Sequence, residues 1–105
     1  MKNAYYYDQA RQFGKRYTGA LNSGAEEYAA LFAPGAEIVV DGEPATLERV
    51  RQVTPPERSG HRGARLEEPE VVFTIRVRDH AAGTSTDVEH RVLVDDQGHI
   101  TRLTV

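Results

Sequence analysis

The chain has 105 residues, a formal net charge of −3 and no cysteine. That length carries one domain with a core of its own, residues 1–105, and is too short for two; the lack of thiols excludes disulfides, thiolate nucleophiles and cysteine-rich zinc sites. At 39% hydrophobic and 28% charged the composition is that of a folded globular chain, and its acidic balance gives no electrostatic reason to bind nucleic acid.

No apolar run approaches the roughly 20 residues of a membrane span, and the opening MKNAYYYDQARQ has no apolar leader core. No membrane partner and a cytoplasmic location are therefore expected. Helices come first and strands afterwards, which predicts an α+β layout.

The first predicted helix runs from Ala4 to Asn22. Tyr6, Ala10, Phe13, Tyr17 and Leu21 recur at steps of three and four and share one face. Asp8, Arg11, Lys15 and Arg16 occupy the other, and one of Tyr5, Tyr6 and Tyr7 is expected to cap a cavity or pack on a partner. Ser23 and Glu26 have capping-box spacing and predict the start of a second helix. That helix buries Tyr28, Leu31 and Phe32 and stops at Ala33-Pro34-Gly35, because proline cannot continue the hydrogen bonding.

A short strand follows at Glu37 to Val40, closed by the turn pair Asp41-Gly42. Pro44 or Thr46 opens a short helix with Leu47, Val50 and Val53 inward. Thr54 to Gly63, with two prolines and two glycines, reads as a loop. Val71 to Arg78 alternates, placing Val71, Phe73, Ile75 and Val77 on one face and Val72, Thr74, Arg76 and Arg78 on the other. Thr86 to Val94 alternates with Val88, His90, Val92 and Val94 together. Turns at Ala81 to Ser85 and Asp95 to Gly98 separate these from a last strand, His99 to Val105, completing an antiparallel meander.

Two segments carry a family likeness. RYTGALNSGAEEYAALFAPGAEIVVDG, from Arg16 to Gly42, has an aromatic on helix one, an ALN-small-Gly break and a short helix ending Leu-Phe-Ala before a strand. EHRVLVDDQGHITRLTV is a closing hairpin with Asp-Asp-x-Gly at its turn. Together they resemble the nuclear transport factor two-like superfamily, in particular its SnoaL-like cyclases and ketosteroid isomerases. The resemblance implies a cone-shaped fold in which N-terminal helices pack on a curved antiparallel sheet, with a ligand cavity at the helix–sheet junction. It implies a pocket lined by Phe13, Phe32, Val40, Phe73 and Leu103. The middle of the chain is shorter than the family's usual, so a strand is expected to be lost or merged there.

Ketosteroid isomerase is itself one of the established examples of tuned acid–base chemistry: an aspartate base with a tyrosine and a protonated aspartic acid as oxyanion donors. Carried onto this chain, the tyrosine falls on Tyr17 and the second acid on His90, which shares its face with Val88, Val92 and Val94 and should point inward. The base falls on Val40, with Asp41 one residue late; one step along a strand reverses the face unless a bulge intervenes. An inward histidine titrates near neutrality and can act as acid or base.

Each candidate has a plainer reading. Tyr17 can be a core aromatic with its hydroxyl on a backbone or water partner, His90 a structural histidine, and Asp41 a turn residue. Glu37 reads as a solvated edge charge, and Arg76, Arg78, Arg91 and Arg102 as a solvated or dimer-facing surface. His61, His80 and His99 have no metal-ligand spacing, so no metal is expected, and the isomerase-type reaction requires no cofactor. No nucleophile elbow, P-loop or dinucleotide fingerprint is present.

Two functions follow. One is a cofactor-independent isomerase or cyclase acting on a small hydrophobic carbonyl compound such as a polyketide. There Tyr17 stabilises an oxyanion and His90, or Asp41 if turned inward, moves the proton. The other is a non-catalytic small-ligand-binding or dimerization domain of the same fold. An interior filled by Phe32, Phe73 and Leu103 would favour the second. A homodimer is expected in both, through an outer sheet face bearing Val72, Thr74, Ile100 and Thr104 among arginines.

Overall fold

A computed structural model describes the backbone of residues 2–105 and the side chains of residues 9–105. The expected roles of Tyr5, Tyr6 and Tyr7 lie outside the described side chains. In chain order the elements are α1 (Lys2–Ser23), α2 (Ala25–Ala29), β1 (Phe32–Val40), β2 (Glu43–Pro44), α3 (Leu47–Val53), a 3-10 turn (Pro56–Arg58), β3 (Ser59–Glu67), β4 (Glu70–Asp79), β5 (Thr84–Val94) and β6 (Ile100–Thr104). The strands form one sheet in the order β2-β1-β6-β5-β4-β3. It is curved and unclosed, with the helices packed on it, so the α+β cone is present. The sheet is mixed rather than wholly antiparallel: β3 to β6 form a meander, and its last strand runs parallel to β1.

The periodicity of α1 does what it predicts. Ala10, Tyr17 and Leu21 are buried and Phe13 half-buried. Residues 33–35 do not end a helix, however; α2 stops at Ala29, and Ala33-Pro34-Gly35 belong to β1. There the strand passes through an irregularity between Phe32 and Glu37, where Gly35 takes φ 75°. The capping box also fails to form. Ser23 is still helical, its hydroxyl donates back to the Gly19 carbonyl at 2.8 Å, and the residue before α2 is Gly24, without a side-chain cap. Thr46 does cap α3, accepting from the Arg49 amide at 3.2 Å.

The segment predicted to be a loop, Thr54 to Gly63, instead holds the 3-10 turn and the first half of β3, which runs on to Glu67. Its glycines hide the alternation, and pairing with β4 from Ser59↔Val77 to Glu67↔Glu70 supplies what its sequence lacks. Its small residues also let α1 approach. A Cβ on Gly14 would lie 2.8 Å from His61 Cε1, 3.1 Å from Ala64 Cβ and 3.2 Å from Phe73 Cδ1.

The core joins Tyr17, Leu21, Tyr28 and Val50 of the helices to Val40, Phe73, Ile75, Val92, Ile100 and Leu103 of the sheet. Ile100, expected on the outer face, is instead fully buried. The register slips between Leu93 and Val94, so Val94 pairs with Ile100 while Leu93 pairs with Arg102, and the slip turns Ile100 inward. Val72 stays on the outer face, in register between Arg65 and Arg91, yet is fully buried. Around it Arg65 pairs with Glu67 and Glu89, and Arg91 with Glu67 at 2.9 Å and Glu70 at 3.4 Å.

Candidate functional site

Tyr17 reaches the sheet because it lies on the buried stripe of α1. His90 meets it because residue 90 shares the inward parity of Val88 and Val92 and pairs directly with Phe73 of β4. The Tyr17 ring lies on Phe73 at 4.6 Å between centroids and meets His90 and Tyr28 edge-on at 5.6 and 5.4 Å. These rings fix the hydroxyl. The Tyr17 oxygen is 2.7 Å from His90 Nδ1 and 2.5 Å from the Tyr28 oxygen. On the far side of the imidazole, Nε2 is 2.9 Å from the Thr54 hydroxyl. The result is a chain of four side chains, Tyr28–Tyr17–His90–Thr54, drawn from α2, α1, β5 and the C-cap of α3.

All four residues are fully buried. Burial pushes His90 down to about 4, so its imidazole is neutral. Burial likewise raises both phenols; at Tyr17 the neighbouring Tyr28 adds to it, while at Tyr28 the hydrogen bond with Tyr17 and the charge of Arg51 oppose it. A neutral imidazole offers one donor and one acceptor. Among the described residues the buried Tyr28 hydroxyl has the Tyr17 oxygen as its acceptor and no other, so its proton points toward Tyr17. Tyr28 then donates to Tyr17, Tyr17 to Nδ1, and Nε2–H to Thr54.

Asp41 is not part of this chain. It is exposed, the first residue of the two-residue turn joining β1 to β2, with φ 53°, followed by Gly42 at φ 79°. Two consecutive left-handed residues make the turn type whose twist suits a hairpin, and aspartate before glycine tolerates it. No bulge redirects its carboxylate toward the Tyr17–His90 contact.

None of three grooves among the described residues is lined by more than one of the five expected pocket residues. Phe73 and Leu103 are closed core. Phe13, Phe32 and Val40 each border a different surface groove among the described residues. None of those grooves is lined by Tyr17 or His90. An oxyanion site needs donors aimed at a position the substrate oxygen can occupy, and here the Tyr17 hydroxyl is engaged with Nδ1 of His90 and Nε2 with Thr54. The arrangement as folded is a closed polar spine.

Sequence reasoning misses two of its members. It places Tyr28 in a buried stripe with no role for its hydroxyl. It places Thr54 in a loop, although Thr54 follows Val50 by four residues and so extends the inward face of α3. Among the described residues, no three histidine, aspartate or glutamate side chains converge in a metal-ligand arrangement. No helix there is long and apolar enough to cross a membrane.

No protein-family model matches the sequence, and no curated protein matches it. Solved structures do. A de novo designed nuclear transport factor two fold protein aligns with a TM-score of 0.68 at 18% identity, covering 94% of this chain and 84% of that one. A candidate polyketide cyclase from Sinorhizobium meliloti aligns with a TM-score of 0.64 at 15% identity, covering 85% and 88%. AclR, a candidate hydroxylase from Streptomyces galilaeus, gives 0.64 at 11% identity, covering 93% and 77%. One fold thus carries a designed scaffold and two proteins given different activities, so the likeness speaks to architecture and not to chemistry. With its helices on a curved six-stranded sheet, the chain has the nuclear transport factor two-like α+β cone fold.

Proposed function

We propose that this chain is a small-ligand-binding domain that does no chemistry at the Tyr17–His90 position. The observation that carries the reading is the complete burial of Tyr17, Tyr28, Thr54 and His90, with the two tyrosine hydroxyls and both imidazole nitrogens engaged within the chain they form. A buried polar network that is satisfied internally rigidifies a core and fixes which packing is native. Ligand contact falls instead to the apolar surface grooves, such as that between α1 and the sheet. It is lined by Gln9, Ala10, Phe13, Leu66, Val71 and Val94, and has a volume of about 210 Å³.

The test is ligand-observed NMR with a panel of neutral cyclic ketones and aromatic fragments, followed by Tyr17→Phe and His90→Gln. The expected result is binding that survives both substitutions and no conversion of any fragment. Conversion of a fragment that is lost in either variant would sink the reading.

A second reading is favoured by one distance. Tyr17 and His90 meet at 2.7 Å, so the two residues onto which the ketosteroid isomerase resemblance carries the oxyanion donors lie at one point. A cofactor-independent isomerase or cyclase would require its substrate to part Phe13, Phe73 and Tyr17, which lie ring against ring. Dimerization through the outer sheet face is a separate proposal. Thr104 on that face has its hydroxyl buried without a partner, but the surrounding ion pairs are of the kind interface cores avoid. Sedimentation velocity that shows only monomer at high concentration would end it.

A further inference from the structure

The two edges of β1 are unequally covered. β6 runs along one, pairing with Phe32 and with Glu37 to Val39. On the other, β2 pairs only with Val39 and Val40. The Val39 carbonyl accepts from the Val105 amide at 2.8 Å, so residue 39 faces β6, and residue 37, two steps back, faces it too. The peptide bonds of β1 are trans, and a trans peptide points its C=O and the next N–H in opposite directions. With both Glu37 groups turned to β6, the Ala36 C=O and the Ile38 N–H point to the other edge. The Ile38 C=O on that edge accepts from the Ala45 amide at 2.8 Å, whereas the Ala36 carbonyl and the Ile38 amide have no partner there among the described residues. On its inward side the same edge borders a groove of about 370 Å³, whose lining includes Ala29, Phe32, Ala33, Ala36, Ile38 and Leu47. That volume lies in the range of small-ligand sites, and these walls are apolar, as such sites are. Ile38 pairs with the fully buried Leu103, so Ala36 and Ile38 turn their side chains inward and the exposed Glu37 turns outward.

We propose that this edge of β1 takes up a short extended peptide as an added strand parallel to β1. Its central residue donates its N–H to the Ala36 carbonyl and accepts from the Ile38 amide, and the side chains on either side of that residue enter the groove. The proposal rests on the ligand-binding reading and names a site and a ligand class for it. An unpaired main-chain donor and acceptor on a strand edge are a template for a further strand. One residue of a parallel strand satisfies both groups; an antiparallel strand would reach them only by setting a residue opposite Ile38, where Ala45 already lies. The main-chain bonds select an extended peptide, and the strand alternation selects apolar residues before and after the central one, whose own side chain comes to lie beside Glu37 on the outer face. Ala45 and β2 hold the edge beyond Ile38, so the bound segment stops there and the ligand is short.

The experiment is an amide-resolved NMR titration of the full chain with acetyl-Leu-Ser-Leu-amide and, separately, with the same peptide methylated on the serine nitrogen. The parent peptide is expected to shift the amides of Ala36, Glu37, Ile38 and Leu47, with the Ile38 amide proton moving downfield. It should bind about fivefold or more tighter than the methylated peptide, the increment of one net hydrogen bond. Acetyl-Ser-Leu-Ser-amide, which turns its leucine to the outer face, should also bind more weakly than the parent. Ala36→Phe, which fills the groove, should block the parent peptide; should that variant fail to fold, the three peptides on the unaltered chain still decide the matter. Equal binding of the parent and methylated peptides, or shifts confined to the other groove at Phe13 and Val71, would overturn the proposal while leaving the ligand-binding reading in place. The same holds if no peptide binds but neutral fragments of the earlier panel do. If nothing binds at any groove, both fall.

Discussion

The Tyr17 hydroxyl lies 2.7 Å from Nδ1 of His90, joining a helix to a strand 73 residues away. Removing that hydroxyl leaves His90 Nδ1 and the Tyr28 hydroxyl buried without it. Tyr17→Phe is therefore expected to destabilise the fold by about 1–3 kcal/mol, the cost of orphaning a buried polar group. Urea unfolding measures it. A double variant with His90→Leu should cost less than the sum of the two single changes, because the groups share one network.

His90 also sets a pH dependence. Its folded value is about 4, against 6.5 for an unhindered histidine. The unfolded chain takes up the proton more readily, so stability is fully present above pH 6.5, falls as pH drops, and levels off below about pH 4. The span is roughly 3 kcal/mol. His61, also lowered chiefly by burial, adds a contribution of the same sign. The quantity to measure is thus the difference in unfolding free energy between the wild type and His90→Gln from pH 7 to pH 4. A difference that does not narrow toward acid would contradict a neutral buried His90. At neutral pH, long-range nitrogen–proton correlation spectra should find the His90 proton on Nε2.

Two glycines on α1 should respond to alanine with opposite signs. A Cβ added at Gly19 would meet nothing within 4 Å, so Gly19→Ala should gain about 0.5–1 kcal/mol of helix propensity. Gly14 faces His61, Ala64 and Phe73 at 2.8–3.2 Å. The His61 ring can rotate away, but Ala64 Cβ and the packed Phe73 cannot, so Gly14→Ala should lose about 1–3 kcal/mol net. Paired thermal melts decide the matter.

Asp41 and Gly42 both hold left-handed backbone. Asp41→Asn should leave stability and the binding of any ligand unchanged, since the carboxylate is at an exposed turn and asparagine accepts the same φ. Gly42→Ala should cost about 1 kcal/mol. Ligand binding or turnover that vanishes in Asp41→Asn at unchanged stability would restore the carboxylate to a functional role.

Tyr17 and His90 are legible in the sequence because each lies in a strongly periodic element, and periodicity fixes the direction of a side chain once the element forms. The roles of Tyr28 and Thr54 are not, because a hydroxyl's partner depends on what the neighbouring element brings to it. The three candidate catalytic residues divide on the same ground. Tyr17 and His90 are carried by a helix stripe and a strand face, whereas Asp41 obeys its turn.

The sequence by itself determined the long first helix, the strands β4 to β6 of the meander, the Asp41-Gly42 turn and the inward face of His90, since these follow from local period and turn chemistry. Only the tertiary structure decided that a glycine-rich segment becomes β3, that Ile100 turns inward through a slip in register, and that the interior is closed around Tyr17 and His90. Pairing and packing join residues far apart in the chain, and no local pattern records how tightly two such surfaces meet.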